Sequence, residues 1–119
     1  MNRLHGVAKR TWNDGFRFDS RLEGALYAHL KLRVHGGELQ ELVTKPNVYL
    51  TRARLLMIPD FKAFDVLRGC EVYFEAKGYE TEVWRLKRRL WKVYGPGPLC
   101  VFKGSAKRLT LVEEIAPSG

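Results

Sequence analysis

The sequence predicts an α/β fold, a mixed β-sheet flanked by helices in the order α-β-β-β-α-β-β, within a single domain over residues 1–119. Three observations predict it. Two segments, 20–34 and 82–94, repeat apolar residues at the helical period, as a helix with one buried face does. Between them, two apolar runs joined by the turn Leu67-Arg68-Gly69 read as an antiparallel hairpin. A third apolar run, Leu99 to Phe102, follows the second helix, so strand, helix and strand succeed one another as in a right-handed crossover with parallel strands. With 119 residues, 45% of them hydrophobic, the chain is large enough for one core and small for two.

Residues 1–12 are basic and polar, include Lys9 and Arg10, and read as an N-terminal arm ending at Trp12. Asn13-Asp14-Gly15 marks a tight turn, so Thr11-Trp12 and Phe16-Arg17-Phe18 are expected to pair as a small hairpin. Ser20 is placed to cap the first helix, and His35-Gly36-Gly37 to stop it. Leu39–Val43 and Val48–Leu50, interrupted by Lys45-Pro46, read as one edge-like strand with a break, because proline has no N–H to give a central ladder. The run from Leu55 passes through Pro59-Asp60-Phe61 to Val66, and Cys70–Lys77 returns beside it. Glu82–Tyr94 is helical in pattern, Gly95-Pro96-Gly97-Pro98 ends it, and Arg108–Val112 is the last strand.

The formal net charge of +8 and the pI near 9.8 favour a polyanionic partner, since every phosphate contacted releases condensed counterions. Nucleic acid is the first expectation. An anionic membrane is the weaker one, because no apolar run approaches the roughly 20 residues that span a bilayer. The N-terminus lacks the apolar stretch of a secretory signal, which points to the cytoplasm. Cys70 and Cys100 stand apart, without C-x-x-C spacing, and read as reduced core thiols. His5, His29 and His35 share no ligand spacing and are read as non-catalytic.

The residues that carry chemistry are Ile58-Pro59-Asp60 and, on the returning strand, Tyr73-Phe74-Glu75-Ala76-Lys77. Side chains alternate along a strand, so Glu75 and Lys77 share one face and Phe74 and Ala76 the other. A carboxylate from each strand can converge on a hard divalent cation, and an ammonium beside it can serve a water or offset charge on a phosphorane-like transition state. The same residues also fit a half-exposed Glu/Lys surface pair of little energetic weight. Glu23 has two readings as well. In projection it falls inside the apolar arc of Leu22, Leu26, Tyr27, Leu30 and Val34, which presses it toward the sheet, where an unpaired carboxylate is costly. Ser20-Arg21-Leu22-Glu23 also fits a capping box, with Glu23 bonding back to the Ser20 amide.

A first-helix Glu23, Pro59-Asp60 and Glu75-Ala76-Lys77 together resemble the PD-(D/E)-x-K nuclease superfamily. The longer pattern of FDSRLEGALY, IPDF and FEAKGYET followed by RLKRRL is similar to its small phage-encoded members, related to phage endonuclease I and the archaeal-type Holliday junction resolvases. The likeness spans roughly residues 13–103. It implies a restriction-endonuclease-like core, with Asp60 and Glu75 ligating Mg²⁺ or Mn²⁺, the Ala76 carbonyl as a backbone ligand, Lys77 serving the nucleophilic water and Glu23 completing the acidic cluster. The implied reaction is hydrolysis of DNA phosphodiesters at four-way junctions. A homodimer follows from the two symmetric nicks such a junction needs, and the host cytoplasm is the implied location for a phage-encoded chain.

On the second helix, Arg85, Arg88, Arg89 and Lys92 lie opposite the apolar arc of Val83, Leu86, Leu90, Val93 and Tyr94. With Lys9 and Arg10 they are the expected phosphate contacts, or alternatively a solvated basic face. Lys87 projects at the arc's margin near Trp84 and Trp91 and is an accessory candidate, as is Thr81, which equally fits a helix cap. Trp84 and Trp91 are expected to pack in the core or an interface. Two other readings remain at this level: a nicking, restriction-type or exonucleolytic relative, and a non-catalytic basic nucleic-acid-binding protein.

Overall fold

Ser20 starts the first helix. Its backbone is extended and its Oγ accepts a hydrogen bond from the Glu23 N–H at 3.0 Å, capping α1 (Arg21–His35). Gly36 and then Gly37, at φ +80°, close the other end, as the Gly-Gly pair predicts. The structure, a computed structural model, describes residues 11–13, 16–18 and 20–118. Lys9, Arg10 and most of the expected basic arm lie outside the described residues. The expected small hairpin is present as β1 (Thr11–Asn13) antiparallel to β2 (Phe16–Phe18).

Five strands form the main sheet: β3 (Leu39–Thr44), β6 (Phe61–Asp65), β7 (Cys70–Ala76), β8 (Leu99–Ser105) and β9 (Arg108–Ile115), in that spatial order. β6 and β7 are the antiparallel hairpin read from the sequence, and β7 and β8 run parallel around the second helix, α2 (Glu82–Tyr94). The sheet is therefore mixed and flanked by two helices, as expected. β8 and β9 both outrun their expected ends, since they continue as a hairpin past the core to Ser105 and Arg108.

One strand reading is corrected. Val48–Leu50 does not continue β3, and Leu55–Ile58 does not lead unbroken into β6. Instead β4 (Val48–Tyr49) pairs with β5 (Leu56–Met57) as a separate two-stranded sheet. The cause is local: Lys45 takes φ +49°, a left-handed conformation that turns the chain out of the β3 ladder just ahead of Pro46. The Lys45 N–H still donates to the Asp60 carbonyl at 2.8 Å, so both chains leave the main sheet together.

Alternation along β7 divides the core in two. Val72 and Phe74 face α1, packing with Leu26, Tyr27, Leu30, Phe61, Ala63 and Phe102. Tyr73 faces α2, packing with Trp84, Trp91, Leu99, Val101 and Ile115. Trp91 is fully enclosed, meets Tyr73 edge-on at 5.1 Å and donates its indole N–H to the Gly97 carbonyl at 2.8 Å. Gly95 is required beneath it, because a Cβ there would stand 2.5 Å from the indole nitrogen. Cys100 is a buried free thiol pushed up to about 11 by burial, whereas Cys70, read as a core residue, is exposed at the start of β7. Among the described residues no helix is long and apolar enough to cross a membrane.

Candidate active site

Asp60 lies where the chain passes from the small sheet into β6, directly after the buried Pro59. Glu75 lies one strand over, on the α2 face of β7, and is only 8% exposed. The two carboxylates are crossed by backbone hydrogen bonds. The Asp60 N–H donates to Glu75 Oε1 at 3.1 Å, and the Ala76 N–H donates to Asp60 Oδ2 at 2.8 Å. Each side chain is thereby held by the other's strand, which fixes their separation through the sheet itself.

Two such groups repel and are poorly solvated. Burial first, and then the charges of Glu75 and Glu23, push Asp60 up to about 8. Burial likewise pushes Glu75 up to about 7, against the opposing pull of Lys77 and the Asp60 N–H. The site therefore holds negative charge at a cost that a cation would relieve.

Lys77 is on the same face as Glu75, as strand alternation requires, with Nζ 3.5 Å from Glu75 Oε2. Its ammonium also sits 4.7 Å from the centroid of the Trp84 ring, a cation–π seat that orients it. Around this pair is a cleft of about 210 Å³ lined by Met57, Ile58, Glu75, Lys77, Thr81, Val83, Trp84 and Lys87. Both accessory candidates, Thr81 and Lys87, are thus brought to the same cleft as Glu75 and Lys77. The Nε1 of Trp84 is buried there without a hydrogen-bond partner. An unpaired buried donor costs about 1–3 kcal/mol, so this wall is suited to an oxygen-bearing ligand or a water.

Thr81 has a structural duty as well. Its Oγ1 accepts from the Trp84 N–H at 3.0 Å and caps α2. Thr81→Ala is expected to cost about 1 kcal/mol in a urea melt, with Thr81→Ser close to wild type. A loss restored by serine separates the cap from any role in the cleft that needs the methyl group.

Glu23 is buried, as its place in the apolar arc predicts, and Ser20 forms the first half of the capping box. Its carboxylate reaches Lys45, whose Nζ donates to Glu23 Oε2 at 3.1 Å. Because α1 covers the face of β7 opposite Glu75, Glu23 meets the acidic pair from the far side and acts on it by charge. Lys45 was read from the sequence as a strand break alone. Its usable signal is positional: Thr44 pairs with Phe61, so the next residue outward on each strand is Lys45 and Asp60.

Several basic candidates are already paired. Arg88 binds Glu113 with both guanidinium arms, and Arg85 lies against Glu80, which also binds Lys103. Arg89 and Lys92 project from the exposed side of α2 and, among the described residues, form no ion pair. α2 also meets the sheet differently from the expected arc. Trp84 and Trp91 are the buried residues, while Val83, Leu86, Val93 and Tyr94 stay exposed.

Among the described residues, no three His, Cys, Asp or Glu side chains are grouped so as to hold a metal by themselves. The donor set is instead two carboxylates from adjacent strands, with Lys77 alongside. That set fits Mg²⁺, which binds through one or two carboxylates and completes its shell with water and substrate phosphate oxygens. No curated protein matches the chain. A family model does, over residues 4–96, a span holding both helices, Asp60, Glu75 and Lys77 but stopping before β8. The chain therefore belongs to the DUF1064 family, described as proteins of unknown function.

Proposed function

We propose that this protein is a metal-dependent, structure-selective DNA endonuclease that hydrolyses phosphodiesters at four-way junctions, acting as a Holliday junction resolvase in the cytoplasm of its host. The observation that carries the reading is the crossed pair Asp60 and Glu75, each carboxylate fixed by the other strand's N–H, with Lys77 3.5 Å from Glu75. Asp60 and Glu75 would hold Mg²⁺ or Mn²⁺, with the Ala76 carbonyl as a further ligand. A bound divalent ion supplies charge for the phosphoryl oxygens and acidifies a water. Lys77, seated on Trp84, orients that water and offsets charge on the phosphorus centre. Glu23 and Lys45 set the charge behind Asp60. Lys87 and the unpaired Trp84 N–H face the same cleft and suit a substrate phosphate. The net charge of +8 suits the DNA backbone, with Arg85, Arg89 and Lys92 as the exposed phosphate contacts on α2.

The test is cleavage of a labelled synthetic four-way junction, in competition with a linear duplex of equal length. Symmetric nicks with Mg²⁺, abolished by EDTA, are expected. Equal cutting of junction and duplex would leave a nuclease of different substrate class. No cutting of any DNA form with Mg²⁺ or Mn²⁺ would remove the enzymatic reading and leave a basic nucleic-acid-binding protein.

A further inference from the structure

The exposed side of α2 carries an apolar stripe with no covering element among the described residues. Val83 is 61% exposed, Leu86 46%, Val93 51% and Tyr94 51%, and Leu90 between them is only partly buried. These positions are separated by three, four and three residues from Val83 to Val93, the spacing of a seam that packs against another helix. Ile58, also exposed, lies beside Val83 in the wall of the cleft and extends the patch beyond the helix. A patch of this kind marks an interface more often than a random exposed leucine does.

We infer that this stripe is the twofold interface of a homodimer, formed by α2 packing antiparallel against α2 of a second copy. The flanking charges select that occupant. Glu82 and Arg89 border the same edge of the stripe one heptad apart, and neither forms an ion pair among the described residues. In an antiparallel pair centred between Leu86 and Leu90, Glu82 of each copy meets Arg89 of the other, twice by symmetry. The two helix dipoles also oppose one another favourably. A membrane-surface helix would instead carry basic residues along both borders of its apolar face. Val83 belongs to both stripe and cleft, so each cleft adjoins the seam and the dimer holds two of them about one axis. The inference deepens the nuclease reading by naming the twofold that paired nicks need, yet it rests on the surface of α2 and is measured without DNA or metal.

The 13 residues of α2 span about 20 Å, a contact smaller than the roughly 800 Å² per partner of a standard interface, so a concentration-dependent dimer is expected. Sedimentation velocity of the full chain should show its mass moving from 13.8 kDa toward twice that value as concentration rises from about 1 to about 200 μM. Leu86→Glu should hold the chain monomeric throughout, with circular dichroism unchanged because the position is exposed. Arg89→Glu alone should weaken dimerisation about tenfold or more, and Glu82→Arg with Arg89→Glu should restore it. A wild type that stays monomeric to the highest concentration overturns the inference, and binding of that monomer to vesicles of anionic lipid would assign the stripe to a membrane. A dimer untouched by Leu86→Glu, or one that the charge exchange fails to restore, overturns it equally. Junction cleavage can succeed or fail independently of all these masses.

Discussion

Glu75→Gln is expected to leave binding of a four-way junction within about twofold of wild type while lowering its cleavage on the order of a thousandfold. The amide keeps the size of the side chain and the oxygen that accepts the Asp60 N–H, so the hairpin geometry survives. What it removes is one of two anionic ligands and the partner of Lys77. A divalent ion contributes several kcal/mol of charge stabilisation, and each ~1.4 kcal/mol is tenfold in rate, which sets the size of the loss. The basic surface is unchanged, so affinity and its salt dependence should be unchanged too. Electrophoretic mobility shift in Ca²⁺ and single-turnover cleavage in Mg²⁺ read the two quantities separately. Wild-type cleavage by the variant would remove Glu75 from the chemistry.

The second large effect is a stability that falls as pH rises unless a divalent cation is present. Folding raises the pKa of Asp60 to about 8 and of Glu75 to about 7, through burial and mutual repulsion. The folded chain therefore binds these protons more tightly than the unfolded chain, where such carboxyls titrate near 4. The resulting stabilisation is complete below about pH 4 and is lost as pH climbs through 7 to 8. Metal-free protein should melt about 5 °C or more lower at pH 9 than at pH 6, and millimolar Mg²⁺ should restore more at pH 9 than at pH 6. The falling net positive charge of the whole chain acts in the opposite sense, so the comparison needs an internal control. Asp60→Asn supplies it, because Asn can still accept from Ala76 but no longer titrates. The difference between the wild-type and Asp60→Asn melting curves should grow with pH in EDTA and shrink in Mg²⁺. A flat difference would show that the pair carries no linked protons.

Much of the sheet was legible because its signals are local. The hairpin of β6 and β7 follows from alternation around a glycine turn, and the parallel partner β8 follows from a helix between two apolar runs. The face shared by Glu75 and Lys77 follows from strand geometry alone. What escaped depends on contacts distant in the chain or on one backbone angle. Lys45 meets Glu23 across 22 residues of sequence, and its left-handed φ, which splits off the small sheet of β4 and β5, has no glycine to announce it. Periodicity identified a broad apolar arc on α2, but the bulk of Trp84 and Trp91 decides which edge of it meets the sheet. Cys70 looked buried by its neighbours, yet the strand begins beyond the reach of either helix.

The acidic pair straddles a joint. Glu75 and Lys77 belong to β7 and the residue that follows it, and β7 is the middle strand of five, walled by a core on each side. Asp60 instead occupies the seam between that sheet and a separate two-stranded ribbon, tied down by Lys45 and the Ala76 N–H. One carboxylate is thus anchored in the stiffest part of the molecule and the other rides on a hinge. Small bending of the ribbon of β4 and β5 changes the gap between the two oxygens without disturbing a single contact in the main core, so ion size and substrate arrival can be accommodated by the loose side of the site alone.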